Sequence, residues 1–169
     1  MNRQPRLFEE AKELAARGVT VDVTAFPIDE GDPALAAEDA IERWLDEGLP
    51  RERLTCSSDG AGCLPVFGAD GRLSAMDVGR PSALADTIRA LVRRGRPLSD
   101  VLPFFTSHVA ALLRLPGKGR VEVGADADLV ALGEGATIDF VMARGRVMVQ
   151  GGRPCALGTF ERELEGVRR

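Results

Sequence analysis

The stretch "LTCSSDGAG", residues 54–62, runs from an apolar start into small polar residues, one aspartate and two glycines. A carboxylate placed where a buried strand ends can take a proton from water or bind a cation. Asp59 is therefore the first candidate for chemistry. Asp followed by Gly is equally a common turn pair, in which the side chain bonds the backbone two residues on. Either chemistry needs companions, and the sequence offers few.

There is a single histidine, His108, in the middle of "FFTSHVAALL". One histidine cannot build a multi-histidine metal site, and a packed or partly exposed role on its helix is the default. Cys56 and Cys63 are separated by six residues, which is not a zinc-knuckle spacing, and Cys155 leaves the count odd. A cysteine nucleophile would have only His108 as its base. Asp29, Glu30 and Asp32 in "IDEGD" read as a solvated loop, with an oxygen-ligand cation site as the alternative. "GKGRVEVG" contains G-x-G but lacks the strand-to-helix context of a dinucleotide site, and it is no phosphate loop.

These groups need elements to position them. The 169 residues suffice for one domain or one and a half, and 44% hydrophobic with 28% charged residues describes a globular chain. A net charge of -4 gives no basic footprint for nucleic acid or an anionic membrane. No apolar run reaches the ~18 residues of a membrane span, and the N-terminus lacks the apolar segment of a signal peptide. The three cysteines are read as reduced thiols in a cytoplasmic protein.

Periodicity predicts a helix over residues 5–17, with Leu7, Ala11 and Leu14 inward and Phe8 and Ala15 beside them. "VTVDVTAF" alternates as a strand. A second helix spans residues 34–47, with Ala37, Ile41 and Trp44 as its stripe. "RLTCSSD" is the next strand. The glycine-rich segment 60–79 is a long loop or a short hairpin around "GADGRL". A third helix starts near Pro81. A fourth is expected from a Ser99 cap, with Val101, Leu102, Phe105, Val109, Leu112 and Leu113 inward and Pro103 tolerated in its first turn. Beyond Gly119, "RVEVG", "ADLVALG" and "IDFVMARGRVMVQGGRP" read as short strands, with a hairpin turn at "ARGR".

Strands alternating with helices imply an α/β class with parallel strands. Two such strands cannot close a barrel, and an eight-fold barrel takes about 250 residues. Residues 1–115 therefore read as the last part of a (β/α)8 TIM-type barrel, its final two strands and helices. Residues 116–161 read as short strands, and residues 162–169 as a tail.

The segment "GKGRVEVGADADLVAL...IDFVMARGRVMVQGGRP" resembles the C-terminal part of the amidohydrolase superfamily, which implies that residues 116–161 supply strands of a small β-sandwich beside the barrel. Gly124, Ala127, Asp128, Leu129, Val130, Val141, Gly145, Val147 and Gly151 carry that resemblance as structural residues. "NRQPRLFEEAKELAARG", "VDVTAFPIDEGDPALAAEDAI", "LTCSSDGAG", "RPSALADTIRALV", "TSHVAALLRLPGKG" and "GTFE" are similar to consecutive segments of the isoaspartyl dipeptidase (β-aspartyl peptidase) family. That family cleaves isoaspartyl dipeptides with two zinc ions in a (β/α)8 barrel. The resemblance implies that Asp59 is both a metal contact and the proton shuttle between water and leaving amine. It implies that Arg3 binds a substrate carboxylate. Cys63 stands where the family has a substrate-contacting serine, and a thiol is the weaker hydrogen-bonding group. Ala61 stands where asparagine is common.

The family's other ligands are a His-x-His pair, a bridging carboxylate and two further histidines, and none of these is found in this sequence. The resemblance implies a chain that starts just after the last metal histidine, inactive by itself and joined either to an N-terminal half or to further copies of itself. The alternatives are a non-catalytic amidohydrolase module, or part of a dihydroorotase-like or deacetylase-like enzyme.

Overall fold

The computed structural model describes residues 1–28, 33–68 and 70–158. The acidic stretch 29–32, the end of "GTFE" and the tail 162–169 lie outside the described residues. The chain packs as two compact units, the first Met1–Gly119 and the second beginning at Arg120. No described helix is long and apolar enough to cross a membrane.

In the first unit, α1 (Pro5–Ala16) leads to β1 (Val21–Thr24), α2 (Ala37–Asp46) to β2 (Leu54–Ser57), and β2 to a hairpin of β3 (Cys63–Phe67) and β4 (Leu73–Val78). Then follow α3 (Ala83–Arg93), α4 (Leu98–Val101), a 3-10 turn (Leu102–Phe105) and α5 (Ser107–Leu112). β1 and β2 pair in parallel, Val21 opposite Leu54 and Thr24 opposite Ser57, with α2 in the crossover. That is the α/β arrangement the alternation implies.

One face of this pair is apolar. Val21, Val23, Ala25, Leu54 and Cys56 are buried there, in one core with Phe8, Ile41, Trp44, Leu91, Val101 and Phe104. Burying a side chain of this size stabilises the fold by ~1.5–3 kcal/mol. Trp44 meets Phe8 edge-on at 6.3 Å, and its indole N–H donates to the Pro50 carbonyl at 3.1 Å. The other face is polar. Asp22 accepts from the Thr55 hydroxyl at 2.8 Å and the Ser57 hydroxyl at 2.5 Å.

Ion pairs brace the helices outside the core. Arg96 makes two 2.7 Å bonds to the Asp46 carboxylate and one of 3.0 Å to Glu42. Arg94 bonds Asp39 and Glu42, both at 2.6 Å.

Several expected faces are rotated. In α1 the buried residues are Phe8, Ala11 and Ala15, while Leu7 and Leu14 are more than 40% exposed. The aromatic ring buries more area than either leucine, so it sets the inward face. The fourth helix is not continuous, and Ser99 lies inside α4 rather than capping it. Pro103 has no N–H for the ladder and its ring crowds the preceding turn. The chain therefore tightens to a 3-10 turn; Phe104 and Ala110 are buried, Phe105 packs partly buried against the same core as expected, and Leu112 and Leu113 are exposed. The segment 60–79 is the hairpin, with a bulge between Val66 and Phe67.

The second unit is one antiparallel sheet in the order β5 (Leu129–Leu132), β6 (Ile138–Ala143), β7 (Arg146–Gln150), β8 (Arg153–Pro154). Among the described residues there is this single sheet in the unit, not two facing layers. "RVEVG" is not a strand either: Val121 and Val123 are fully or nearly exposed, and no strand among the described residues pairs with them. The β6–β7 turn falls at "ARGR", with Arg144 and Gly145 both at positive φ, 50° and 79°. Asp128 accepts from the Arg144 N–H at 2.7 Å, and the Ala127 carbonyl from the Gly145 N–H at 3.0 Å. "ADL" thus fastens the turn, which is the structural role its resemblance implied.

Candidate functional site

The site is built where β1 and β2 end on the same side of the sheet. Asp59 lies two residues beyond β2, in a turn where its own φ is 51° and that of Ala61 is 64°. A left-handed backbone suits Asp better than most residues and suits Ala poorly. The Asp59 carbonyl accepts from the Gly62 N–H at 2.8 Å. The hairpin then returns to clamp the turn, through Ala61 N–H to the Gly79 carbonyl and Gly79 N–H to the Gly62 carbonyl, both 2.9 Å. A Cβ on Gly79 would stand 2.2 Å from the Asp59 carbonyl oxygen, so only glycine permits this approach.

Arg3 reaches the carboxylate from the other side. Asn2, fully buried, fixes the backbone just before it. Its amide nitrogen donates to the carbonyls of Thr24 (3.0 Å) and Leu35 (2.8 Å), and its amide oxygen accepts from Thr24 N–H at 2.9 Å. Its own carbonyl accepts from Leu35 N–H at 2.8 Å. The Arg3 guanidinium lies 4.5 Å from the centre of the Phe26 ring and donates from Nη2 to Asp59 Oδ2 at 3.3 Å. Both members of this pair are about half exposed, 48% and 52%. The pair is therefore open to a ligand and worth little as a stabilising salt bridge.

Cys63 begins β3 opposite Val78, and its thiol is exposed. A cavity of about 530 Å³ adjoins the site, with Phe26, Ile28, Leu64, Gly79 and Thr87 in its wall. Phe26 and Gly79 therefore belong both to the cavity wall and to the Arg3–Asp59 site.

The remaining candidates have structural surroundings. His108 Nδ1 is 3.2 Å from the Leu54 carbonyl and its ring meets Phe104 edge-on at 5.5 Å, so it covers the outer edge of β2. Burial pushes the Cys56 thiol far up from its ordinary range, with the Asp22 charge adding to the effect, so it is no nucleophile. Among the described residues no three His, Cys, Asp or Glu side chains stand close enough to hold a metal ion. Asp59 faces a cation of the chain itself. These residues do not by themselves fit a zinc centre.

The sequence reading missed Asn2, Phe26 and Gly79. The Asn2 side chain bonds backbone groups of its partners and Gly79 acts through its own backbone, and neither leaves a residue pattern. Phe26 follows a strand and reads as ordinary apolar surface.

The sequence profile of the amidohydrolase family matches residues 5–148. A β-aspartyl dipeptidase from the thermophilic, keratin-degrading Fervidobacterium islandicum AW-1, solved in complex with β-Asp-Leu, is 35% identical over 95% of this chain, with a TM-score of 0.81. A second structure of a β-aspartyl dipeptidase from that organism gives 33% identity over 95% of this chain and a TM-score of 0.75. The chain spans 41% and 39% of those two proteins. An N-acetylglucosamine-6-phosphate deacetylase from Pasteurella multocida shares the fold alone, at 16% identity and a TM-score of 0.51, over 83% of this chain and 48% of its own.

Proposed function

The chain belongs to the amidohydrolase family, and on that premise we propose that it is part of a hydrolase that cleaves isoaspartyl (β-aspartyl) dipeptides. The observation that carries this reading is the Arg3–Asp59 pair, 56 residues apart in sequence and 3.3 Å apart in space, open to solvent beyond the ends of two parallel strands. β1 and β2 are then the last two strands of a (β/α)8 barrel, whose reactive groups gather at the strands' C-terminal ends.

In this reading Arg3 binds a substrate carboxylate. A planar guanidinium presents several N–H donors in the geometry of a carboxylate's two oxygens. Asp59 accepts a proton from the attacking water and returns it to the leaving amine, the ordinary work of a positioned carboxylate. Cys63 lies at the rim and contacts substrate only weakly, as a thiol. Zinc would supply water activation and carbonyl polarisation in such an enzyme; Asp59 would be its one contact from this sequence, and the histidine ligands would come from outside it, since its one histidine is committed to β2. The chain by itself is therefore inactive. Its three free cysteines favour a reducing compartment, the cytoplasm.

The test is a chimera in which the preceding portion of the Fervidobacterium dipeptidase is fused ahead of Met1. The fusion should hydrolyse β-Asp-Leu, and Asp59→Asn should reduce the rate by at least ~100-fold. A folded fusion that cleaves β-Asp-Leu equally well with Asp59→Asn would remove Asp59 from the chemistry. One that spares β-Asp-Leu but deacetylates N-acetylglucosamine 6-phosphate would overturn the substrate.

A further inference from the structure

We infer that Phe26 is the positioning residue of this site: its ring holds the Arg3 guanidinium beside Asp59 and leaves most of its N–H donors free for a ligand carboxylate. The inference rests on the reading that Arg3 binds such a carboxylate.

Arg3 is half exposed and its side chain has many rotamers. One solvent-screened contact of 3.3 Å to Asp59 is too weak to select among them. The Phe26 ring, 4.5 Å from the guanidinium carbon, adds an attraction of a different kind, between the cation and the negative face of the π system. A ring-face contact uses no N–H donor. Of the five that an arginine carries, Asp59 takes one among the described residues. The rest remain for a two-oxygen partner. The backbone that carries the ring is itself anchored. Phe26 follows Ala25, whose N–H donates to the Ser57 carbonyl at 2.7 Å and extends the β1–β2 ladder by one residue. Arg3 is thus tied to the β1 segment twice, through the neighbouring Asn2 side chain, which bonds Thr24, on one side and through the Phe26 ring on the other.

The experiment uses the full chain and the probe β-Asp-Leu. Three proteins are made: the natural one, Phe26→Leu, and one with 3,4,5-trifluorophenylalanine at position 26. The fluorinated ring keeps the shape and packing but loses most of the attraction for a cation, so the test stands even if Phe26→Leu does not fold. Arg3 Nε–H is followed by NMR. In the natural protein it should show the upfield ring-current shift and an ordered side chain. With either replacement its order parameter should fall into the flexible range, below about 0.6. The dissociation constant for β-Asp-Leu should rise about 2- to 5-fold, the worth of an exposed cation–π contact.

An Arg3 side chain that stays equally ordered in the fluorinated protein overturns the proposal. So does an unchanged dipeptide affinity once Arg3 has loosened. If Arg3 loosens as expected but β-Asp-Leu binds none of the three proteins, the role of Phe26 in holding Arg3 stands, and the dipeptide reading is decided separately by β-Asp-Leu hydrolysis in the chimera.

Discussion

Replacing Asn2 by alanine should unfold this chain at much lower denaturant. The Asn2 side chain makes three hydrogen bonds to backbone, of 3.0, 2.8 and 2.9 Å, and is fully buried. Each is worth about 1 kcal/mol net. Because no solvent reaches the side chain, the orphaned Thr24 and Leu35 groups regain little from water, and the sum is about 3 kcal/mol. That is a large share of a domain stability of ~5–15 kcal/mol. With a urea slope of ~2 kcal/mol/M, the midpoint should fall by roughly 1.5 M at unchanged slope. Asn2→Asp should be no better, since it sets a carboxylate oxygen against the two carbonyls that now accept from the amide nitrogen. A midpoint lowered by less than ~0.5 M, measured by circular dichroism and tryptophan fluorescence together, would refute this account of how the first residues are fixed.

Gly79→Ala should cost at least ~2 kcal/mol and abolish the Arg3–Asp59 contact in NMR spectra, because its Cβ would stand 2.2 Å from the Asp59 carbonyl oxygen. Ala61→Gly should do the opposite. Relieving φ of 64° gives back about 1 kcal/mol, seen as a melting temperature raised by roughly 2–4 °C; no change would mean that the turn is unstrained. The Glu42 carboxyl resists burial but is held below its usual range by Arg94 and Arg96, and the Asp46 carboxyl is held down by its bonds to Arg96. Both are lower folded than unfolded, so their contribution is present above the ordinary carboxylate range and is lost as pH falls through it. Arg96→Gln should flatten that acid limb of the stability curve, and a limb unchanged between pH 6 and 3 (roughly the carboxylate range) would count against the assignment.

How much of this was legible depends on the distance over which each feature is determined. The glycine at 18 and the alternation of Val21 and Val23 are local signals, and α1 and β1 lie where those signals put them. The inward face of α1 was misread because period alone does not weigh Phe8 against Leu7 and Leu14. Pro103 was read as tolerable in a first turn, yet the turn that contains it is 3-10. The nearness of Arg3 and Asp59 follows from no spacing, since the crossover of β1 and β2 brings them together, and only a family resemblance suggested it. Asn2 was invisible for a further reason. A buried amide bonded to main chain recognises carbonyls and N–H groups that every residue carries, so its partners leave no trace in composition.

The polar face of the parallel pair has a consequence in donors and acceptors. Thr55 and Ser57 each have a single hydroxyl hydrogen, and both are given to Asp22. Three polar side chains therefore offer lone pairs and no side-chain hydrogen. A surface that covers this face must bring N–H or O–H groups or water. A facing carboxylate would find acceptors at all three of these side chains and a hydroxyl donor only at Thr24 beside them, and a purely apolar surface would strand the charge on Asp22.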